Sequence, residues 1–292
     1  MVWRDRVACG GKLEMGPFLE WAKYVTTTTG TKKIVIIKDG KIGFPVEGQE
    51  TIWNETCPGP CHGLLLAHMK GGHEDVLVPL LAGMQLQGWG LHSYPWEKKI
   101  DKAIFRGSGF CHAKRFSYTN GACSRTYLAA RVANNPEWRE HIDAGLLNPG
   151  RFKSLQFNGS FPVSVEDSAH FRFTLNLDGI TASSRLSKLL ALNSVVLKQA
   201  SPHVEWYYRS LLPNVHYLPF WDHGRDDILC VLEQRKRHPD KILKKIAQNG
   251  QAFAYHYLRP AARRQYFIEA LKEYRELFGS DMDDYITQHV RA

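Results

Sequence analysis

Ser108 is the first residue whose type and setting suit the binding of a negatively charged group. It follows the apolar pair Ile104-Phe105 and lies between Gly107 and Gly109. The two glycines would let a ligand approach the backbone, and a serine hydroxyl can donate a hydrogen bond to a phosphate oxygen. An ordinary turn is the other interpretation of this segment.

A second candidate is a run of small residues that ends in an arginine: Ile180, Thr181, Ala182, Ser183, Ser184 and Arg185. It follows the alternating segment 171–177 and an Asp-Gly pair, and leucines at helical spacing come after it. We therefore predict a strand-to-helix crossing, with Arg185 in the first helical turn. Unpaired helix N–H groups and the guanidinium would then face an anion such as a diphosphate. Close packing of helix on strand, with Arg185 on a solvated face, is the alternative.

Arg125 is a third candidate phosphate contact, because it begins a helical pattern after Gly121 to Ser124. A surface arginine is the default interpretation. Neither a Walker loop nor a GxGxxG fingerprint is present. The segment from Cys57 to His62 has no second ligand pair at zinc-finger spacing, so we predict a loop or a disulfide there and no metal site.

Short apolar strands alternate with helical patterns around these candidates. Strands are predicted at 33–37, 75–81, 103–105, 171–177, 194–198 and 216–220, and helices at 16–25, 124–133, 226–236, 241–258 and 263–278. This alternation predicts an α/β fold of parallel βαβ units, whose sheets bind ligands outside the carboxyl ends of the strands. A chain of 292 residues predicts two lobes.

The formal net charge of +9 favours an anionic partner. The basic residues are scattered, so the sequence shows no dedicated nucleic-acid tail. No apolar run reaches the ~20 residues of a membrane span, and the first eleven residues are too short and polar for a signal peptide. Asn54-Glu-Thr and Asn158-Gly-Ser are glycosylation sequons, which matter only in a secretory compartment.

A series of short motifs also runs through most of the chain, from about Val35 to the C-terminal helix. In order, they are F-R-G-S, R-x-x-L, N-P-E, N-L-D-G-x-x-A-S-x-R, V-L-K-Q-x-S-P, E-W-Y-Y and H-Y-L-P. Together they resemble the capsule-associated and protein O-glucosyltransferase-like glycosyltransferases. The resemblance rests on the combination, since each motif alone is weak.

The resemblance implies two Rossmann-like lobes facing a cleft, the GT-B arrangement, with a C-terminal helical tail. Residues 1–95 would form the acceptor-side lobe, 96–262 the lobe that binds the nucleotide sugar, and 263–292 a helix that packs back across the lobes. It also implies inverting transfer of glucose or xylose from a UDP-sugar to a hydroxyl of a protein or glycan, without an essential metal or other cofactor. A catalytically inactive UDP-sugar- or glycan-binding relative is the first alternative, and a basic nucleic-acid-binding protein is the second.

By position, Gly107-Ser108 and Arg125 match the family's donor-phosphate residues, and 180–185 match its nucleotide-binding turn. Lys114 and Arg115 compete with Arg125, because residues 109–124 lengthen the usual path. Two further donor contacts are implied: Trp89, in Gly-Trp-Gly, and Glu205, in E-W-Y-Y.

Asp39 follows the strand 35–37 and matches the family's catalytic aspartate. It departs from the pattern in one respect, since Gly40-Lys41 stands where family members often have an aromatic residue and a proline. The implied compartment is the lumen of the endoplasmic reticulum or Golgi if a targeting segment was removed. The cytoplasm is the alternative.

Overall fold

The computed structural model describes residues 36–38, 41–43, 66–67, 69–70, 76–79, 81, 89–109, 123–147, 160–179, 181–221, 226–236 and 239–278. The chain divides into two compact units. One consists of Met1–Leu80 with Arg264–Ala292, and the other of Leu81–Arg263. The domain boundaries 1–95, 96–262 and 263–292 stay a prediction.

Short strands make up much of the described part of the first unit: β1 (Ile36–Lys38), β2 (Lys41–Gly43), β3 (Leu66–Ala67), β4 (Met69–Lys70) and β5 (Val76–Leu77). β1 and β2 pair antiparallel, with Lys38 opposite Lys41, whereas β3 and β5 pair parallel. The two residues between β1 and β2 are Asp-Gly, a pair favoured in two-residue hairpins. Asp39 itself lies outside the described residues.

A five-stranded parallel sheet forms the centre of the second unit. Its strands are β6 (Ile100–Gly107), β7 (Ile142–Leu146), β8 (Phe171–Asn176), β9 (Val195–Gln199) and β11 (Leu218–Phe220), and β10 (Val204–Glu205) lies outside this sheet. The spatial order is β11-β9-β8-β6-β7. Parallel strands joined through helices confirm the predicted α/β class.

The helices are α1 (Ser124–Asn134), α2 (Pro136–His141), α3 (Leu186–Leu190), α4 (Asp227–Lys236), α5 (Asp240–Phe253) and α6 (Pro260–Phe278). The sequence predicts a single helix over 241–258, but α5 ends at Phe253 and the chain continues as a π-helical segment, Ala254–Leu258. None of the helices in the described ranges is long and apolar enough to cross a membrane.

Apolar side chains of the sheet and of α1 and α2 form one buried cluster in the second unit. Phe105, Leu175 and Leu197 contribute from three neighbouring strands, and Leu128 and Trp138 from the two helices. Burying a side chain of this size is worth about 1.5–3 kcal/mol. This packing holds the carboxyl ends of β6 and β8 next to each other.

Candidate anion-binding site

The sheet of the second unit has a topological switch point between β6 and β8. Numbered along the chain, its strands lie in the order 2-1-3-4-5, with β6 first and β8 third. From β6 the chain continues to its neighbour β7, and from β8 it continues to its neighbour β9, so the two connections run towards opposite edges of the sheet. In such sheets a crevice opens outside the carboxyl ends of the two strands, and ligands bind there. Ser108 directly follows β6, and Leu177-Asp178 directly follows β8.

Arg125, in the first turn of α1, joins the two strand ends. Its Nε donates to the Asp178 carbonyl at 3.0 Å, Nη2 to the Leu177 carbonyl at 3.1 Å and Nη1 to the Ser108 carbonyl at 3.3 Å. Backbone carbonyls outside a helix or ladder need donors, and one planar guanidinium serves three of them. Arg125 therefore fixes the mouth of the crevice and also brings a positive charge to it.

Arg185 brings a second positive charge to the end of β6. Its Nη1 donates to the carbonyl of Arg106, a residue of β6. The Arg106 side chain points elsewhere: it forms a 2.8 Å ion pair with Asp143 and donates to the carbonyls of Phe105 and Asp143. Arg106 thus fastens β6 to β7, and its carbonyl remains free to orient Arg185.

The two guanidiniums of Arg125 and Arg185 influence each other. Burial lowers the pKa of both, and the charge of Arg185 lowers the pKa of Arg125 further, to about 10. A pKa of about 10 still leaves the Arg125 guanidinium protonated at neutral pH. In the described part of the chain neither forms a salt bridge with a carboxylate, and their hydrogen-bond partners there are all backbone carbonyls. Two neighbouring, largely buried cations without an ion-pair partner form a site that an anion would stabilise.

The turn after β8 supplies the remaining predicted contacts. Ala182 and Ser183 are buried, Thr181 is exposed and Ser184 is half-buried, while Ile180 lies outside the described residues. Arg185 occupies the N-cap of α3 and not its first turn, and α3 has only five residues. The prediction of Arg185 inside the helix was wrong by one position. A helix this short contributes little macrodipole, so the charge of the site comes from the guanidiniums.

Trp89 and Glu205 lie in the second unit, and neither is among the hydrogen-bond partners of the two arginines in the described structure. Glu205 is buried on β10, where the Tyr207 hydroxyl donates to its Oε1 at 3.5 Å. Lys198 interacts with both carboxylates, since the charges of Asp178 and Glu205 each raise the pKa of its ammonium group. Trp89 is half-buried, and no hydrogen bond among the described residues joins it to the arginines.

Four predicted residues lie outside the described residues: Asp39, Lys114, Arg115 and Ile180. Sequence reasoning also missed two residues of the site, Asp178 and Arg106. Both were visible in the F-R-G-S and N-L-D-G motifs, and a charged residue at the end of a buried strand was the signal. Within the described ranges no group of three or more His, Cys, Asp and Glu side chains could hold a metal ion. Metal independence stays a prediction.

Paired cations at the switch point of a parallel sheet lie where open α/β sheets bind their ligands. Residues 84–284 match the family model of Glycosyl transferase family 90. The chain belongs to this family.

The chain is also similar in sequence to proteins named O-glucosyltransferases. The chain is 34% identical over 200 residues to Protein O-glucosyltransferase 2 of Danio rerio, which covers 66% of this chain and 36% of the relative. It is 28% identical over 218 residues to an O-glucosyltransferase rumi homolog of Anopheles gambiae, which covers 72% of this chain and 51% of the relative. The chain thus spans about a third to a half of these relatives.

Among solved structures, the Anabaena protein HepE in complex with UDP-glucose matches with a TM-score of 0.37 and 12% identity. The match covers 59% of this chain and 49% of that protein. Similarity at this level carries no functional argument.

Proposed function

We propose that the protein is an inverting glycosyltransferase that moves a sugar, glucose or xylose, from a UDP-sugar to a hydroxyl of a protein or glycan acceptor. Membership of glycosyl transferase family 90 and similarity to proteins named O-glucosyltransferases support sugar transfer. The observation that carries the donor assignment is the pairing of Arg125 and Arg185 at the carboxyl ends of β6 and β8.

The two guanidiniums suit the leaving group of this reaction. As the bond between the anomeric carbon and the diphosphate breaks, negative charge develops on the leaving UDP. Preorganised donors in a buried site stabilise such charge strongly, because they need not reorganise when it forms. Arg125 and Arg185 are held in place by backbone carbonyls, so they meet this condition without a metal ion.

Inversion requires the acceptor oxygen to attack the anomeric carbon on the side opposite the diphosphate. A carboxylate that removes the hydroxyl proton during the attack is worth about 10²–10⁴ in rate. In our proposal Asp39 is this base, and it belongs to the part of the chain that would bind the acceptor.

A disulfide at the start of α1 supports the secretory compartment. Cys123, the residue that precedes α1, is disulfide-bonded. Such bonds persist in oxidising compartments and are rare in the cytosol. We therefore propose the lumen of the endoplasmic reticulum or Golgi.

UDP is expected to stabilise the protein in the presence of EDTA, because arginines take the place of a cation in the proposed donor site. A ligand at a hundred times its Kd adds about 2.7 kcal/mol of stability. For a chain of this size that corresponds to a rise in melting temperature of roughly 5 °C or more. Thermal-shift assays with UDP and with uridine make a matched pair, since uridine lacks the diphosphate and should have little effect.

Stabilisation that requires manganese would contradict the metal-free site, and equal shifts with UDP and uridine would contradict the role of the arginines. The same assay with UDP-glucose, UDP-xylose, UDP-galactose and GDP-sugars identifies the donor.

A further inference from the structure

Asp178 connects three elements of the proposed donor site. Its backbone N–H donates to Gln199 Oε1 on β9 at 3.0 Å, and its carbonyl accepts from Arg125 Nε on α1 at 3.0 Å. Its carboxylate Oδ1 accepts from the backbone N–H of Ser183 at 3.1 Å. The residue is 3% exposed, so all three bonds lie in a water-poor environment.

The bond to Ser183 closes the turn that leads to Arg185. Ser183 lies five residues after Asp178 and three residues before the short helix α3. A backbone bond from Gly179 N to the Thr181 carbonyl tightens the start of this turn. The carboxylate of Asp178 therefore holds the middle of the turn at a point where no strand or long helix fixes the backbone.

The second carboxylate oxygen of Asp178, Oδ2, does not bond to the turn. Oδ2 is buried and meets no hydrogen-bond partner of good geometry in the described part of the chain, although the Ser201 hydroxyl lies close enough to the carboxylate to lower its pKa. The turn thus needs one acceptor oxygen from this side chain. The negative charge that comes with it acts on Arg125, one of the two guanidiniums to which an anion would bind.

We propose that Asp178 is the positioning residue of the anion-binding turn: its Oδ1 holds the Ser183 amide in place, while its charge weakens the binding of a diphosphate. This inference rests on the proposed function and names a residue of the same site. The two effects have opposite signs, so they can be separated by substitution.

Asparagine and alanine separate the oxygen from the charge. Asp178→Asn keeps an acceptor for Ser183 and removes the charge, so we expect it to bind UDP about three- to tenfold more tightly than the parent protein. Asp178→Ala removes the charge as well but offers no acceptor, and the turn loses a buried hydrogen bond. We expect it to bind UDP at least about tenfold more weakly than Asp178→Asn.

Burial raises the pKa of the Asp178 carboxyl. Four neighbouring groups lower it: the Ser201 hydroxyl, the charge of Lys198, the Ser183 amide and the charge of His203. The charged and titratable groups that interact with Asp178 come from four places: Arg125 on α1, Lys198 on β9, His203 in the loop after β9, and Tyr207 and Tyr208 after β10.

A bound diphosphate favours the protonated carboxyl, because two adjacent anions repel. UDP affinity of the parent protein should therefore rise as the pH falls through the folded-state pKa of Asp178. The affinity ratio of Asp178→Asn to the parent should fall towards one over the same range. Free UDP takes up and releases the same protons in both titrations, so that contribution cancels in this ratio.

Calorimetric titration of the parent and both variants with UDP and with inorganic pyrophosphate, at several pH values, tests the inference. Melting temperatures establish that the variants are folded, and if Asp178→Ala is not, the pH dependence of the Asn-to-parent ratio decides alone. Equal affinities of Asp178→Asn and Asp178→Ala, or an Asn variant that binds more weakly than the parent at every pH, would overturn the inference. A parent protein that binds neither ligand contradicts the proposed function itself, which keeps the two failures distinct.

Discussion

Asp39→Asn is expected to lower the rate of sugar transfer by at least about 10²–10⁴, the factor that general-base catalysis supplies, with UDP affinity nearly unchanged. An amide keeps the shape of the side chain but cannot take up a proton. The candidate phosphate residues all lie in the second unit, Leu81–Arg263, whereas Asp39 belongs to the first. Transfer assays with a saturating donor, combined with UDP calorimetry, measure the two effects separately.

The substitution is well suited to the local structure. β1 and β2 pair antiparallel, Asp39 and Gly40 are the two residues between them in the sequence, and Asn-Gly is as favourable as Asp-Gly in a two-residue connection. A loss of transfer would therefore reflect the missing base and not a broken hairpin. The matched variant is Asp75→Asn, since Asp75 is the alternative carboxylate of the same unit. An Asp39→Asn protein that transfers sugar at the parental rate would make Asp39 a turn residue and Asp75 the next candidate.

Arg185→Ala is expected to weaken UDP binding by about 1.5–3 kcal/mol, or roughly ten- to 150-fold, if its guanidinium makes a charge-assisted hydrogen bond to phosphate. Arg185 is the more informative of the two arginines. Arg125 donates to three carbonyls, so its removal also disturbs the strand ends, whereas Arg185 has one such bond in the described structure. Calorimetry at fixed ionic strength gives the affinity.

Arg172→Ala is the matched control for this substitution. Arg172 lies near the amino end of β8, where it pairs with Asp101 and Asp240. A strand rises about 3.3 Å per residue, so this guanidinium is far along β8 from Asp178. Its loss removes the same positive charge without touching the proposed site, and UDP affinity should not change. If Arg185→Ala also left the affinity unchanged, Arg185 would be a structural residue that only orients the end of β6 through the Arg106 carbonyl.

The sequence predicts those elements whose own residues show a strand-like or helix-like pattern. The alternating segment 171–177 is β8, and the helical pattern 124–133 is α1. β7 was missed because Ile-Asp-Ala-Gly-Leu neither alternates nor is rich in β-branched residues, and its pairing with β6 defines it. α2 was missed although Asn135 caps it and Pro136 opens it, since six residues are too few to show periodicity.

The candidate site shows the same division. Arg125 and Arg185 were predicted because each follows a strand and a run of small residues. That Arg125 would bind the carbonyls of Leu177 and Asp178 could not be predicted, because more than fifty residues separate the partners and only the sheet order brings them together. The role of Asp178 depends on its burial, which a sequence pattern does not reveal.

The location of the donor diphosphate tests the central claim most directly, and a crystal structure of the protein with UDP, grown in EDTA, would show it. We predict phosphate oxygens within about 3 Å of the guanidiniums of Arg125 and Arg185 and next to the turn 181–185, at the carboxyl ends of β6 and β8. A diphosphate bound anywhere else on the protein, or one held through a metal ion, would contradict the account.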